Sequence, residues 1–166
     1  MTISGLTAKM IAFSEGNLHD ISHFLKVWAY AKTIGELEGL DTETQFVLEA
    51  SALVHDIACP FCRKKYGNTA GPSQEKEGAV LAEAFLKDTD IPQDQKDRII
   101  YLVGHHHTLS DISGMDYQIL IEADYIVNAE ESAYPPENIK NFGKKYFRTK
   151  SGLSILGSVY GTFNKI

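Results

Sequence analysis

The chain has 166 residues, the size of one domain, and 43% are hydrophobic against 23% charged, enough for a packed core. A net charge of −6 argues against general binding to nucleic acid or anionic lipid, and two cysteines make no disulfide framework. No run approaches the ~18 apolar residues of a spanning helix, and the start has no secretory signal. The expectation is a soluble cytoplasmic domain, with self-association into a homo-oligomer left open.

Apolar residues recur at helical spacing along most of the chain. A short helix is expected before Glu15. Asn17 then caps a long one through Ile21, Phe24, Val27, Ala31 and Ile34, closed by Gly39. Asp41 caps a second long helix running through Leu48 and Leu53 to about Ile57. Ala58 to Pro72, with Pro60, Gly67, Gly71 and Pro72, reads as a loop. Ser73 is the expected cap of the next helix, and Pro92 opens one that reaches about His106. Asp116 to Glu131 forms another, and two weaker helices follow near Pro136–Phe147 and Ser151–Thr162. No sustained period-two alternation is present, so the expected fold is an all-α single-domain bundle of about six to eight helices.

Charge is unevenly spread. From Asn138 onward there are six basic residues (Lys140, Lys144, Lys145, Arg148, Lys150 and Lys165) and no acid. This basic tail either offers positive potential to an anionic ligand or is a solvated helix face, as the four-residue spacing of Lys140, Lys144 and Arg148 allows.

The informative residues are ionisable groups inside apolar stripes. His23 sits beside Phe24 and four before Val27; His55 follows Ala52 by three; Asp124 lies within Ile119–Val127. Burying an unpaired carboxylate costs several kcal/mol or neutralises it, so something positive must meet it. No Lys or Arg occupies an evident core position, whereas histidines do. One or two divalent ions held by His23, His55, Asp56 and Asp124 would satisfy imidazoles and carboxylates together. Such a mixed donor set suits Mn, Fe, Co, Ni or Zn better than Mg. Singly, each residue also reads as a hydrogen-bonded core histidine or a capping aspartate.

His23, the pair His55-Asp56 and the distant Asp124 resemble the H…HD…D signature of the HD-domain superfamily of metal-dependent phosphohydrolases. The contexts HFLKVWAYA, ASALVHDIA and ILIEADYIVN carry the resemblance, which covers about residues 18–131. It implies an all-α core and a divalent metal on those four residues, one per chain with a second admitted. It also implies hydrolysis of a phosphate ester of a nucleotide or other small phosphorylated metabolite. The sequence departs from the pattern in three places. HDIA stands where many members have HDIG. The acidic pair of alarmone-hydrolysing members is replaced by Cys59-Pro60-Phe61-Cys62. No histidine lies between Asp56 and His105, which leaves Glu75 or Glu77 as substitutes for a missing middle ligand.

Within that reading Asp56 binds metal and orients or deprotonates a water. His105 or His106 touches substrate phosphate, protonates the leaving group or binds a second metal; alternatively the three histidines cap a helix C-terminus, and His107 is surface. His19 is taken as a supporting or surface group. Arg63 and Lys64, with Glu77, are the candidate substrate-binding residues, Arg63 because a guanidinium clamps phosphate bidentately. Cys59 and Cys62 lack the partners a zinc ribbon needs and read as reduced thiols. Two other functions compete with hydrolysis: a degenerate fold that senses a nucleotide without turnover, and a di-iron oxygenase.

Overall fold

The computed structural model describes residues 1–161. Nine helices and no strand are found among the described residues: α1 (Ile3–Phe13), α2 (Leu18–Glu38), α3 (Thr42–Val54), α4 (Cys59–Tyr66), α5 (Gly71–Leu86), α6 (Gln93–Val103), α7 (Met115–Glu131), α8 (Pro136–Tyr146) and α9 (Lys150–Tyr160). The fold is the expected all-α bundle. Asn17 Oδ1 accepts from the Asp20 amide at 3.2 Å, and Asp41 takes the amides of Glu43 and Thr44, so both expected caps are made. Gly39 closes α2 at φ 74°, a left-handed turn that costs glycine nothing.

The segment read as a loop contains α4 and the start of α5. Pro60 and Pro72 lie in the first turns of those helices, where a missing N–H removes no intrahelical bond. Gly67, at φ 71°, ends α4. The cap of α5 is Ala70, not Ser73, and α6 stops at Val103, leaving His105–His107 in a turn. Thr162, the expected end of α9, and Lys165 lie outside the described residues.

α2 packs against α3 and α7, and α3 also meets α1, α6 and α7. Phe24, Val27, Ile34, Leu48, Leu53, Ile99, Leu102 and Leu120 fill the shared core, each under 3% exposed. One lysine among the described residues is buried, contrary to the expectation from sequence: Lys96 donates to the carbonyls of Lys87 and Thr89 at 3.3 and 2.8 Å, satisfying the end of α5.

Glu122 of α7 is also fully buried. It accepts from Gln118 Nε2 (2.8 Å), from the amides of Arg148 (2.7 Å) and Thr149 (3.0 Å), and from the Thr149 hydroxyl. Burial pushes its carboxyl up, and these donors oppose the shift. The contact pins the α8–α9 junction to α7. No helix among the described residues is long and apolar enough to cross a membrane.

A candidate metal centre at the heart of the bundle

Four predicted side chains converge. His23 comes from the second turn of α2, His55 and Asp56 from the turn after α3, and Asp124 from the middle of α7. His23 Nε2 lies 3.1 Å from His55 Nε2, 3.4 Å from Asp56 Oδ2 and 3.3 Å from Asp124 Oδ1. His55 Nε2 lies 3.6 Å from Asp56 Oδ2 and 3.4 Å from Asp124 Oδ1. His55 is 0% exposed, His23 4% and Asp124 7%, whereas the Asp56 side chain keeps 23% of its surface open.

The ring tautomers follow from what meets the other nitrogens. His55 Nδ1 donates to the Ala52 carbonyl at 2.8 Å, and His106 Nδ1 to the Val103 carbonyl at 2.9 Å. Both carbonyls belong to the last turn of a helix, where no intrahelical donor remains for them. His23 lies inside α2 and has no such carbonyl; its Nδ1 donates instead to Glu131 Oε2 at 2.8 Å, and Lys26 Nζ holds the other Glu131 oxygen at 2.8 Å. A carbonyl can only accept, so Nδ1 carries the proton and each Nε2 presents a lone pair. Two lone-pair nitrogens and two carboxylate oxygens therefore face one another in the dry interior. All four are acceptors, and a positive charge between them is what removes the repulsion.

Without a metal, a proton is the only available charge. Burial opposes a charged His23, but Asp124, Asp56 and Glu131 outweigh it and raise the imidazole to about 9. Burial likewise pushes the carboxyls of Asp56 and Asp124 up, yet the facing imidazoles (His55 and His106 for Asp56, His23 and His55 for Asp124) hold both well below the ordinary range. A raised histidine contributes stability below its unfolded value near 6.5 and loses it as pH rises through 9. Depressed carboxylates contribute above their unfolded value near 3.8 and fail only in acid. The metal-free protein is thus expected to lose melting temperature steadily from pH 6.5 to 9. A flat profile there would contradict the centre's electrostatics; the His23→Gln variant should show a shallower one, with the raised His106 still contributing.

The other predicted residues are placed as follows. His106 is buried, with Nε2 3.4 Å from Asp56 Oδ1 but without a well-aligned hydrogen bond. Ligand atoms of Asp56, His106 and His107 also lie within 4.8 Å of one another, a second group able to hold an ion that shares Asp56 with the first. His105 is not brought in: its Nδ1 bonds the Tyr101 carbonyl at 2.7 Å and its ring stacks on Tyr101. Arg63 pairs with Asp20 on the exposed face of α4, and Lys64 is exposed beside it. Glu77 is bound by Lys65 Nζ (2.9 Å) and Tyr66 Oη (2.6 Å), and Glu75 by the His107 amide (3.0 Å). The helical path of α4 turns this basic run outward. His19 is a surface side chain beside Asp20. Cys59 and Cys62 are buried and free, and burial pushes both thiols up, so they stay protonated and unreactive.

Two participants were not singled out from sequence, Asn128 and Glu131. Asn128 Nδ2 donates to Asp124 Oδ1 at 2.8 Å, and Glu131 orients His23. They stand four and seven residues after Asp124, on the same face of α7. A cleft of about 720 Å³ opens beside the cluster, with Asp124, His106 and Asn128 on one side and residues of α8 on the other.

The family model of the HD domain matches residues 20–140. That span covers most of the chain and every residue of the cluster, and the chain belongs to the HD domain family, whose type is the metal-dependent phosphohydrolase. No curated protein and no solved structure matches the chain.

Proposed function

We propose that the protein hydrolyses a phosphate ester of a small phosphorylated metabolite, nucleotide-like in size, with a divalent cation held by His23, His55, Asp56 and Asp124. The observation that carries this reading is the convergence of four acceptor atoms, with both rings locked in the tautomer that turns a lone pair inward. The nitrogen and oxygen donors favour Mn, Fe, Co, Ni or Zn over Mg; a second ion on Asp56, His106 and His107 would occupy the nitrogen that donates the proton below, so the reading is of one ion per chain. A cation bound there supplies a Lewis acid that lowers the pKa of a water and polarises a phosphoryl oxygen.

The chain's own residues supply the rest. Asp56 turns one oxygen to His23 and His55 and the other to His106, so it is placed to orient the attacking water and accept its proton. Burial opposes a charged His106, but Asp56, 3.4 Å from its Nε2, outweighs it and raises the imidazole, which lines the cleft. As water oxygen bonds to phosphorus, the bond from phosphorus to the ester oxygen breaks, and His106 gives that oxygen its proton. His106, not His105, has the position for this role.

Glu131→Gln keeps the shape of the His23 contact but removes the charge behind it. Metal affinity should fall by ~10- to 100-fold, the usual effect of losing a carboxylate that supports a ligand histidine; titration calorimetry with Mn(II) measures it, and unchanged affinity would remove Glu131 from the centre. The test of the function is an assay of metal-reconstituted protein against nucleoside mono- and triphosphates, cyclic nucleotides and sugar phosphates. Cleavage that a chelator abolishes is expected. Metal bound with no ester cleaved would overturn hydrolysis and favour ligand sensing.

A further inference from the structure

The cleft has two unlike walls. On one side stand the cluster residues Asp124 and His106. On the other, α8 presents Asn138, Asn141 and Lys145, at positions i, i+3 and i+7 of one helical face. Asn128 is committed to Asp124 and Gln74 to Cys59 and the Thr69 carbonyl. The side chains of Asn138, Asn141 and Lys145, by contrast, make no hydrogen bond or ion pair among the described residues; Lys145 only lies over its neighbour Tyr146, 4.9 Å from the ring centroid.

Among the described residues Lys145 is the only lysine or arginine lining the cleft, and Asp124, which faces the cluster, is the only acid. Of the basic residues in the tail, Lys140, Lys144, Arg148 and Lys150 do not line it. A further mark that a ligand belongs here is His106 Nε2, a buried atom on the same cleft that makes no well-aligned hydrogen bond, Asp56 Oδ1 lying 3.4 Å away. A polar group of that kind is expected to be met by whatever fills the space.

We propose that α8 is the recognition wall of this site and that it selects phosphate esters whose leaving group carries a second anionic group. This rests on the hydrolytic reading above for the role of the cluster. The ester phosphate faces His106 and the centre. The second anion, a phosphate or a carboxylate, meets the Lys145 ammonium, and the neutral hydroxyl or amide groups between them meet Asn138 and Asn141. A ligand spanning both walls is of mononucleotide size, which a cleft of about 720 Å³ admits.

The test compares matched esters differing only in the second anion: adenosine 5′-monophosphate against adenosine 3′,5′-bisphosphate, and fructose 6-phosphate against fructose 1,6-bisphosphate. Dissociation constants for the Mn(II)-loaded full chain are measured by calorimetry, and hydrolysis is followed separately by phosphate release. In at least one pair the bisphosphate should bind about two- to fivefold more tightly, as one charge pair at an exposed lysine allows. Lys145→Gln should erase that ratio, by weakening the bisphosphate more than the monophosphate, and leave the melting temperature unchanged. A ratio near one in both pairs, or a ratio that survives Lys145→Gln, overturns the inference even where hydrolysis is observed. A ratio that Lys145→Gln erases in a protein that cleaves neither ester upholds the recognition wall, and the wider ester panel above then decides the hydrolytic reading.

Discussion

Mn(II) added at about a hundredfold excess over its dissociation constant should raise the melting temperature by about 5–10 °C, and Asp124→Ala should abolish that rise together with turnover. The figure follows from linkage. A ligand at a hundred times its dissociation constant stabilises by about 2.7 kcal/mol, and each kcal/mol moves a domain of this size by about 2–4 °C. Asp124 is the residue to remove because its Oδ1 stands 3.3 and 3.4 Å from the two imidazole nitrogens. The metal-free melting temperature of the variant is a separate readout. Removing a carboxylate that faces lone pairs relieves repulsion, whereas removing one that faces a protonated His23 loses an ion pair; at pH 9 the first effect grows. Full metal occupancy in Asp124→Ala would refute the ligand assignment.

Gly152→Ala should destabilise the protein by about 2–3 kcal/mol, the reverse of what helix propensity predicts. In the middle of a helix alanine is ordinarily favoured over glycine by up to ~1 kcal/mol. At Gly152 of α9, a Cβ would stand 2.5 Å from Thr149 Oγ1 and closer still to Glu122 Oε2. Those atoms have little room to retreat, because the carboxylate is fully buried, its Oε1 held by Gln118 and the amides of Arg148 and Thr149 and its Oε2 by the Thr149 hydroxyl. Overpacking at such a site costs ~1–3 kcal/mol, and disturbing the buried carboxylate's donors adds to it. Chemical denaturation measures the change. A variant as stable as the parent would mean that Glu122 is free to move.

The all-helical class was legible in the spacing of apolar residues, and the caps Asn17 and Asp41 were legible as single letters. α4 was not, because Pro60 and Gly67 are the same residues that break helices; here they begin and end one. The cluster was legible because charge on an apolar stripe demands a partner, which His23, His55 and Asp124 advertise at once. The extent of the site was harder to read. Asn128 and Glu131 lie near the exposed end of α7, where an Asn or Glu is ordinary, and only their register with Asp124 marks them. His105 and His106 are indistinguishable in sequence. Which one turns inward is decided by where α6 stops, at Val103, since the last-turn carbonyl then steers the ring of residue 106. The basic tail resolves in the same way, with the turn of α8 setting Lys145 on the cleft and Lys140 and Lys144 off it.

Placing Glu122 two residues before Asp124 on one helix has an evolutionary corollary. The carboxylate that anchors the α8–α9 junction and the carboxylate at the centre are carried by the same rigid rod, so α8 hangs from a fixed mount whose position does not depend on the letters along its cleft-facing side. Exchanging Asn138, Asn141 and Lys145 can retune which molecules are admitted without retooling the reactive machinery. Lineages descended from such a scaffold could diversify by rewriting one short helix, and a designer could do the same by randomising three codons.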